Sequence, residues 1–137
     1  MHEGPAYTAE TNGILIRVRP SYLAGQSDPD EGRWVWAYQI EIVNLTGSTV
    51  QLMARRWTIT DGHGHVEEVR GPGVVGEQPV LAPGERFEYT SGVPLPTASG
   101  FMAGSYQMVT EAGERFEIDV PTFSLDSPSP DGKRVLN

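Results

Sequence analysis

Apolar and polar residues alternate along most of this chain. Ile14, Ile16 and Val18 alternate with Leu15, Arg17 and Arg19. Trp34, Trp36, Tyr38, Ile40 and Ile42 fall on one face, opposite Val35, Ala37, Gln39, Glu41 and Val43. Phe116, Ile118 and Val120 alternate with Glu117 and Asp119. Successive side chains of a strand point to opposite faces, so period-two patterning in β-branched and aromatic residues predicts half-buried strands. No window carries a sustained helical period with a cap at its start. The pattern predicts eight strands, over about 6–10, 13–23, 34–45, 50–60, 65–69, 86–91, 102–110 and 115–123.

The punctuation agrees. Asp61-Gly62 and Ala112-Gly113 sit between apolar runs and read as hairpin turns. The 16 glycines and 11 prolines are enough to interrupt any long helix, yet too evenly spread for a disordered chain. Short strands with turns at such intervals predict an all-β antiparallel sandwich. Residues 25–32 read as an acidic loop between strands. Residues 1–125 read as one domain, and 126–137, with Ser-Pro-Ser-Pro and Asp-Gly-Lys-Arg, as a flexible tail.

A chain of 137 residues can bury a core without a disulfide or metal. The lack of cysteine excludes thiolate zinc sites, iron–sulfur clusters and cysteine nucleophiles, and it fits a reducing compartment. The formal charge of −8 opposes wrapping a nucleic acid. No apolar run approaches the roughly 20 residues of a membrane span, and Met1-His2-Glu3-Gly4-Pro5 lacks the marks of a signal peptide. The expectation is a cytoplasmic protein with no membrane or nucleic-acid partner.

Longer runs carry a family likeness. They include Tyr38-Gln39-Ile40-Glu41-Ile42, then Arg55 and Trp57-Thr58-Ile59-Thr60-Asp61, then Gly71-Pro72-Gly73-Val74-Val75-Gly76-Glu77-Gln78-Pro79. They continue through Pro83-Gly84, Tyr89-Thr90-Ser91-Gly92, Gly104-Ser105-Tyr106-Gln107-Met108 and Val120-Pro121-Thr122-Phe123. In combination these residues resemble the ApaG family over nearly all of the chain before the tail. The resemblance implies an immunoglobulin-like, fibronectin type III-like sandwich of about seven to eight strands. It also implies a link to cobalt and magnesium tolerance, and the family shares an operon with a dinucleoside polyphosphate hydrolase. Related eukaryotic domains imply a recognition role, and no established reaction comes with the family.

Gly71, Gly73 and Gly76 satisfy G-x-G-x-x-G, the spacing that lets backbone approach a pyrophosphate. A dinucleotide fingerprint also needs a helix N-terminus after it. Here Pro72, Pro79 and Pro83-Gly84 oppose a helix, so the favoured reading is a structural bend. A nest of backbone N–H groups with Arg55, Arg56 or Arg70 as countercharge remains the anion-binding alternative. Arg55 also breaks the alternation of its strand. Either a bulge switches the phase near Ala54, or the arginine points inward and must be paired.

His63 and His65, after Asp61, are weak metal candidates on a solvated turn without a third rigid ligand. No G-x-S-x-G, no H-E-x-x-H and no matched histidine supports catalysis. The sequence therefore points to a non-enzymatic binding module, monomeric or dimeric, with no cofactor. Trp34, Tyr38, Val74 and Val75 are the expected contacts for a protein or peptide. The alternative is a sensor of a small anion, nucleotide or metal–pyrophosphate at the glycine loop.

Overall fold

Ile14, Ile16 and Val18 are wholly buried, while their neighbours Leu15 and Arg17 are only partly covered. The same alternation recurs along the chain and assembles two facing sheets. A computed structural model of the protein describes residues 6–128. Their strands are β1 (Tyr7–Thr11), β2 (Ile14–Tyr22), β3 (Trp34–Asn44), β4 (Val50–Asp61) and β5 (Val66–Pro72). After these come β6 (Val80–Leu81), β7 (Arg86–Leu95), β8 (Ser99–Thr110) and β9 (Arg115–Asp126). One sheet runs β1-β2-β3-β7; the other runs β5-β4-β8-β9, with β6 also on β4. Every strand pairing is antiparallel. The fold is an all-β sandwich.

The core lies between the sheets. Trp36, Tyr38, Ile40 and Ile42 of β3 face inward. The Tyr38 ring meets Trp57 at 5.6 Å and Phe123 at 5.7 Å, and Trp57 meets Tyr106 edge-on at 6.2 Å. Aromatic rings favour such edge contacts because each ring has a negative face and a positive rim. On the opposite face of β3, Glu41 is buried at 6 % exposure between Arg17 (2.5 Å) and Arg86 (2.6 Å), which neutralise its charge. Val35 is also buried on that face, where Leu23 N–H donates to its carbonyl and its own N–H donates to Ser27 Oγ.

Among the described residues nine strands stand where eight are predicted. The addition, β6, has two residues, too few to show a period. β7 runs on to Leu95, past Pro94, because an edge strand has no partner needing that missing N–H. β9 extends to Asp126, the first residue of the expected tail; residues 129–137 lie outside those described. The acidic loop holds two short 3-10 turns, Ala24–Gln26 and Pro29–Glu31. Among the described residues no helix is long and apolar enough to cross a membrane.

A bulge resolves the phase of β4. Its register against β8 shifts between Leu52 and Ala54. Leu52 therefore points into the core before the bulge, and Trp57 does so after it. Both readings of Arg55 apply at once: the phase switches, and the arginine takes Trp57's inward side.

Candidate functional site

The two sides of the sandwich differ. On one side β1 and β2 lie against β9: the Tyr7 ring meets Phe123 at 6.2 Å, and Asp119 N–H donates to Thr11 Oγ1. On the other, β7 and β5 end their sheets. Between those edges lies a cleft of about 390 Å³, lined by Tyr38, Trp57, Tyr89, Ser91 and Met102, with Glu67 on the β5 side. This volume is within the range of small-molecule and peptide-side-chain sites, about 300–1,000 Å³.

Arg55 stands in this cleft. Its Nη1 donates to the carbonyls of Pro72 and Gly73, both at 3.0 Å. Its guanidinium also packs over Gly71, where a β-carbon would lie 3.0 Å from both terminal nitrogens. No carboxylate among the described residues comes within 4 Å of it. Two carbonyls hold the group in place but bring no negative charge, so the cation keeps its field.

That field reaches the tyrosines. Burial pushes the Tyr38 hydroxyl above its ordinary range, while the Ser91 hydroxyl and Arg55 draw it back. Burial also raises Tyr89 and Tyr106, whose hydroxyls share a 2.6 Å hydrogen bond. All three phenols are neutral at physiological pH, able to donate or accept a hydrogen bond. Arg55 supplies the positive charge and Glu67 the negative one.

The glycine stretch is a hairpin tip. Val74 N–H donates to Glu77 O (2.8 Å) and Glu77 N–H to Val74 O (2.9 Å). Between them Val75 and Gly76 have φ of 42° and 82°, the mirror-image turn that suits a twisted hairpin. No helix follows: the chain passes through Pro79 into β6. Gly73 N–H is taken by Met53 O, so three amides of the stretch are already bonded within the protein. Its carbonyls, not its amides, face Arg55.

Valine is an unusual choice for that turn, because a β-branched side chain crowds the backbone at positive φ. The β1–β2 hairpin uses Asn12-Gly13 at φ 52° and 82°, nearly the same conformation with favourable residues. Val75→Asn is expected to raise stability by about 1–2 kcal/mol. Urea unfolding of the two chains checks this. A loss of stability would mean that the Val75 side chain contributes more by packing than it costs in strain.

The other expected site residues scatter. Arg56 and Arg70 lie on the outer face of the sheet, sharing Glu68 at 3.1 and 3.3 Å. Hydrogen bonding from Arg56, then the charge of Arg70, holds the Glu68 carboxyl below its usual range. The structure thus brings Arg55 to Gly71 and Gly73 and keeps Arg56 and Arg70 away, because neighbouring strand residues face opposite ways. Trp34 is half-buried, Tyr38 and Val74 are buried, and Val75 is exposed. His63 and His65 are exposed, their amides donating to Asp61 Oδ1 at 2.8 and 3.1 Å. No three metal-ligating side chains converge among the described residues. Sequence reasoning missed Trp57, Glu67, Tyr89 and Ser91. Alternation across 87–95 could have placed Tyr89 and Ser91 inward, but not beside Arg55.

Comparison with known proteins decides the family. The family described as "ApaG domain" matches residues 24–110. Protein ApaG of Bradyrhizobium sp. (strain ORS 278) is 63 % identical over 131 residues, which is 96 % of this chain and 99 % of that protein. The chain belongs to the ApaG family. Protein ApaG of Rhodospirillum centenum is 64 % identical over 122 residues, covering 89 % of this chain and 94 % of its own. A crystal structure of the putative ApaA protein from Bordetella pertussis superposes with TM-score 0.82 at 50 % identity, covering 84 % of this chain and 94 % of that one. The C-terminal domain of wzt shares the fold alone, at TM-score 0.54 and 12 % identity over 90 % of this chain and 79 % of its own. In this ApaG domain the long family-like run from Gly71 to Pro79 is the loop that Arg55 holds, and Trp57 lies beneath it.

Proposed function

We propose that this ApaG domain is a non-enzymatic, cytoplasmic binding module that recognises a protein or peptide through the cleft between β5 and β7. The observation that carries this is Arg55: a cation with no carboxylate partner among the described residues, in a cleft with aromatic walls, beside two sheet edges. A buried or half-buried charge is costly unless something pairs with it, and an acidic group on a partner would do so. His63 and His65 lie on an exposed turn and do not line the cleft, so among the described residues no histidine stands by the Ser91 hydroxyl. The cobalt and magnesium link implied by the family then runs indirectly, through the partner.

The alternative is a small anion, nucleotide or metal–pyrophosphate held by the glycine loop. With Gly73, Val74 and Glu77 amides already bonded, few donors remain for it. The test is capture of partners from cell extract by the full chain and two variants. Arg55→Gln is expected to lose the partner that Arg56→Gln retains, because only Arg55 faces the cleft. Retention by both variants, together with pyrophosphate-induced amide shifts at residues 71–76, would replace this reading with the alternative.

A further inference from the structure

The inner side of β5 is incompletely covered. Glu67 is exposed and Val69 half-buried, although both line the cleft. Trp57 of β4 and Met102 of β8, which also face inward, are at most 4 % exposed. Alongside, among the described residues β7 pairs only with β3, so its other edge offers unpaired backbone groups. A strand added there would continue its sheet and cover the inner side of β5.

The charges in the cleft describe that strand. Arg55 pairs across the sheet with Gly71, and Ile59 with Glu67. The positive and negative ends of the cleft are therefore four residues apart along β4, roughly 13 Å at 3.3 Å per residue. Trp57 and Val69, themselves paired, lie between. In an extended segment, side chains i, i+2 and i+4 fall on one face and span the same length.

Direction follows from the neighbours of β7. The charge of Arg55 acts on Tyr89, near the start of β7. At the far end Leu95 Cδ1 and Thr60 O both crowd Gly100, 2.7 and 2.4 Å from a β-carbon built there. β4 and β7 therefore run the same way. A segment antiparallel to β7, the arrangement of every pairing in this fold, passes Glu67 first and Arg55 last. Pro94 faces the free edge but has no N–H, and Val93 turns toward β3, so pairing with the added segment begins at Gly92.

The geometry points to one ligand class: an extended peptide segment of the pattern base-x-apolar-x-acid, added antiparallel to β7. The base meets Glu67, the apolar residue covers Trp57 and Val69, and the acid pairs with Arg55. This rests on the binding-module reading and adds the chemistry of the partner.

Two blocked heptapeptides of one composition test it, titrated into the isotope-labelled full chain while amide NMR shifts are followed. Acetyl-Thr-Lys-Thr-Val-Thr-Glu-Thr-amide should shift β7 amides at 87–93 and bind about fivefold more tightly than acetyl-Thr-Glu-Thr-Val-Thr-Lys-Thr-amide, the scale of one exposed ion pair. Arg55→Gln should abolish that preference. Glu67→Lys, on an exposed side chain with no ion pair among the described residues, should instead favour acetyl-Thr-Glu-Thr-Val-Thr-Glu-Thr-amide. Equal binding of the two orders, tighter binding of the reversed one, or no β7 shifts at millimolar peptide would overturn the proposal. Equal binding with shifts confined to the cleft would do so while leaving the binding-module reading intact. That reading fails separately, if the captured partner survives Arg55→Gln.

Discussion

Replacing Trp57 by alanine is expected to lower folding stability by about 3–5 kcal/mol, the cost of removing a buried large aromatic side chain. Trp57 is 4 % exposed and touches the rings of Tyr38, Tyr106 and Phe123 at 5.6, 6.2 and 6.1 Å. Its six-membered ring also lies over Gly104, where a β-carbon would sit 2.5 Å from Cε3. No neighbour can collapse into the space, because Tyr106 is tied to Tyr89 and Tyr38 is held in β3. A domain of this size has about 5–15 kcal/mol in all, so the variant should be marginally folded. Urea denaturation should show a much lower midpoint with an unchanged slope. A loss below about 1 kcal/mol would mean that the cleft and the core do not share this wall.

The second large effect is at Gly73. A β-carbon there would lie 2.1 Å from Glu77 O, and the residue has φ of 60°. Gly73→Ala is expected to cost about 2–4 kcal/mol, combining left-handed strain with a backbone clash that the loop must move to relieve. Moving the loop also withdraws the carbonyls of Pro72 and Gly73 from Arg55, so the Arg55 side-chain NMR signal should broaden or shift. Gly76→Ala provides the contrast. Its φ is 82° but nothing lies within 4 Å of its β-carbon position, so only strain applies, about 1–2 kcal/mol. If the two variants lost equal stability, the close approach at Gly73 would not be what holds the loop.

Most of the strand faces were readable in advance. Alternation placed Ile14, Ile16 and Val18 inward with Trp36, Tyr38, Ile40 and Ile42, and all seven are buried. The prolines and glycines around Gly76 argued for a bend, and a two-residue turn stands there. Buried Glu41 was not readable: its position on the polar side of β3 hides that Arg17 and Arg86 enclose it from β2 and β7. Nor was the role of Val75, since valine gives no sign of a positive φ.

Arg55, Arg56 and Arg70 show why the site was harder than the fold. In the sequence they are three cations near one glycine loop. In the structure a bulge beside Met53 decides which of them turns inward, and Glu68 occupies the other two. By itself, the sequence determined the strands, their faces and the turns, because alternation and backbone freedom are properties of neighbouring residues. Only the tertiary structure decided the cleft, which joins side chains from β3, β4, β5, β7 and β8 and leaves Arg55 without a carboxylate among the described residues. Such a site depends on bulge, register and the stacking of two sheets, none of which is encoded within any one strand.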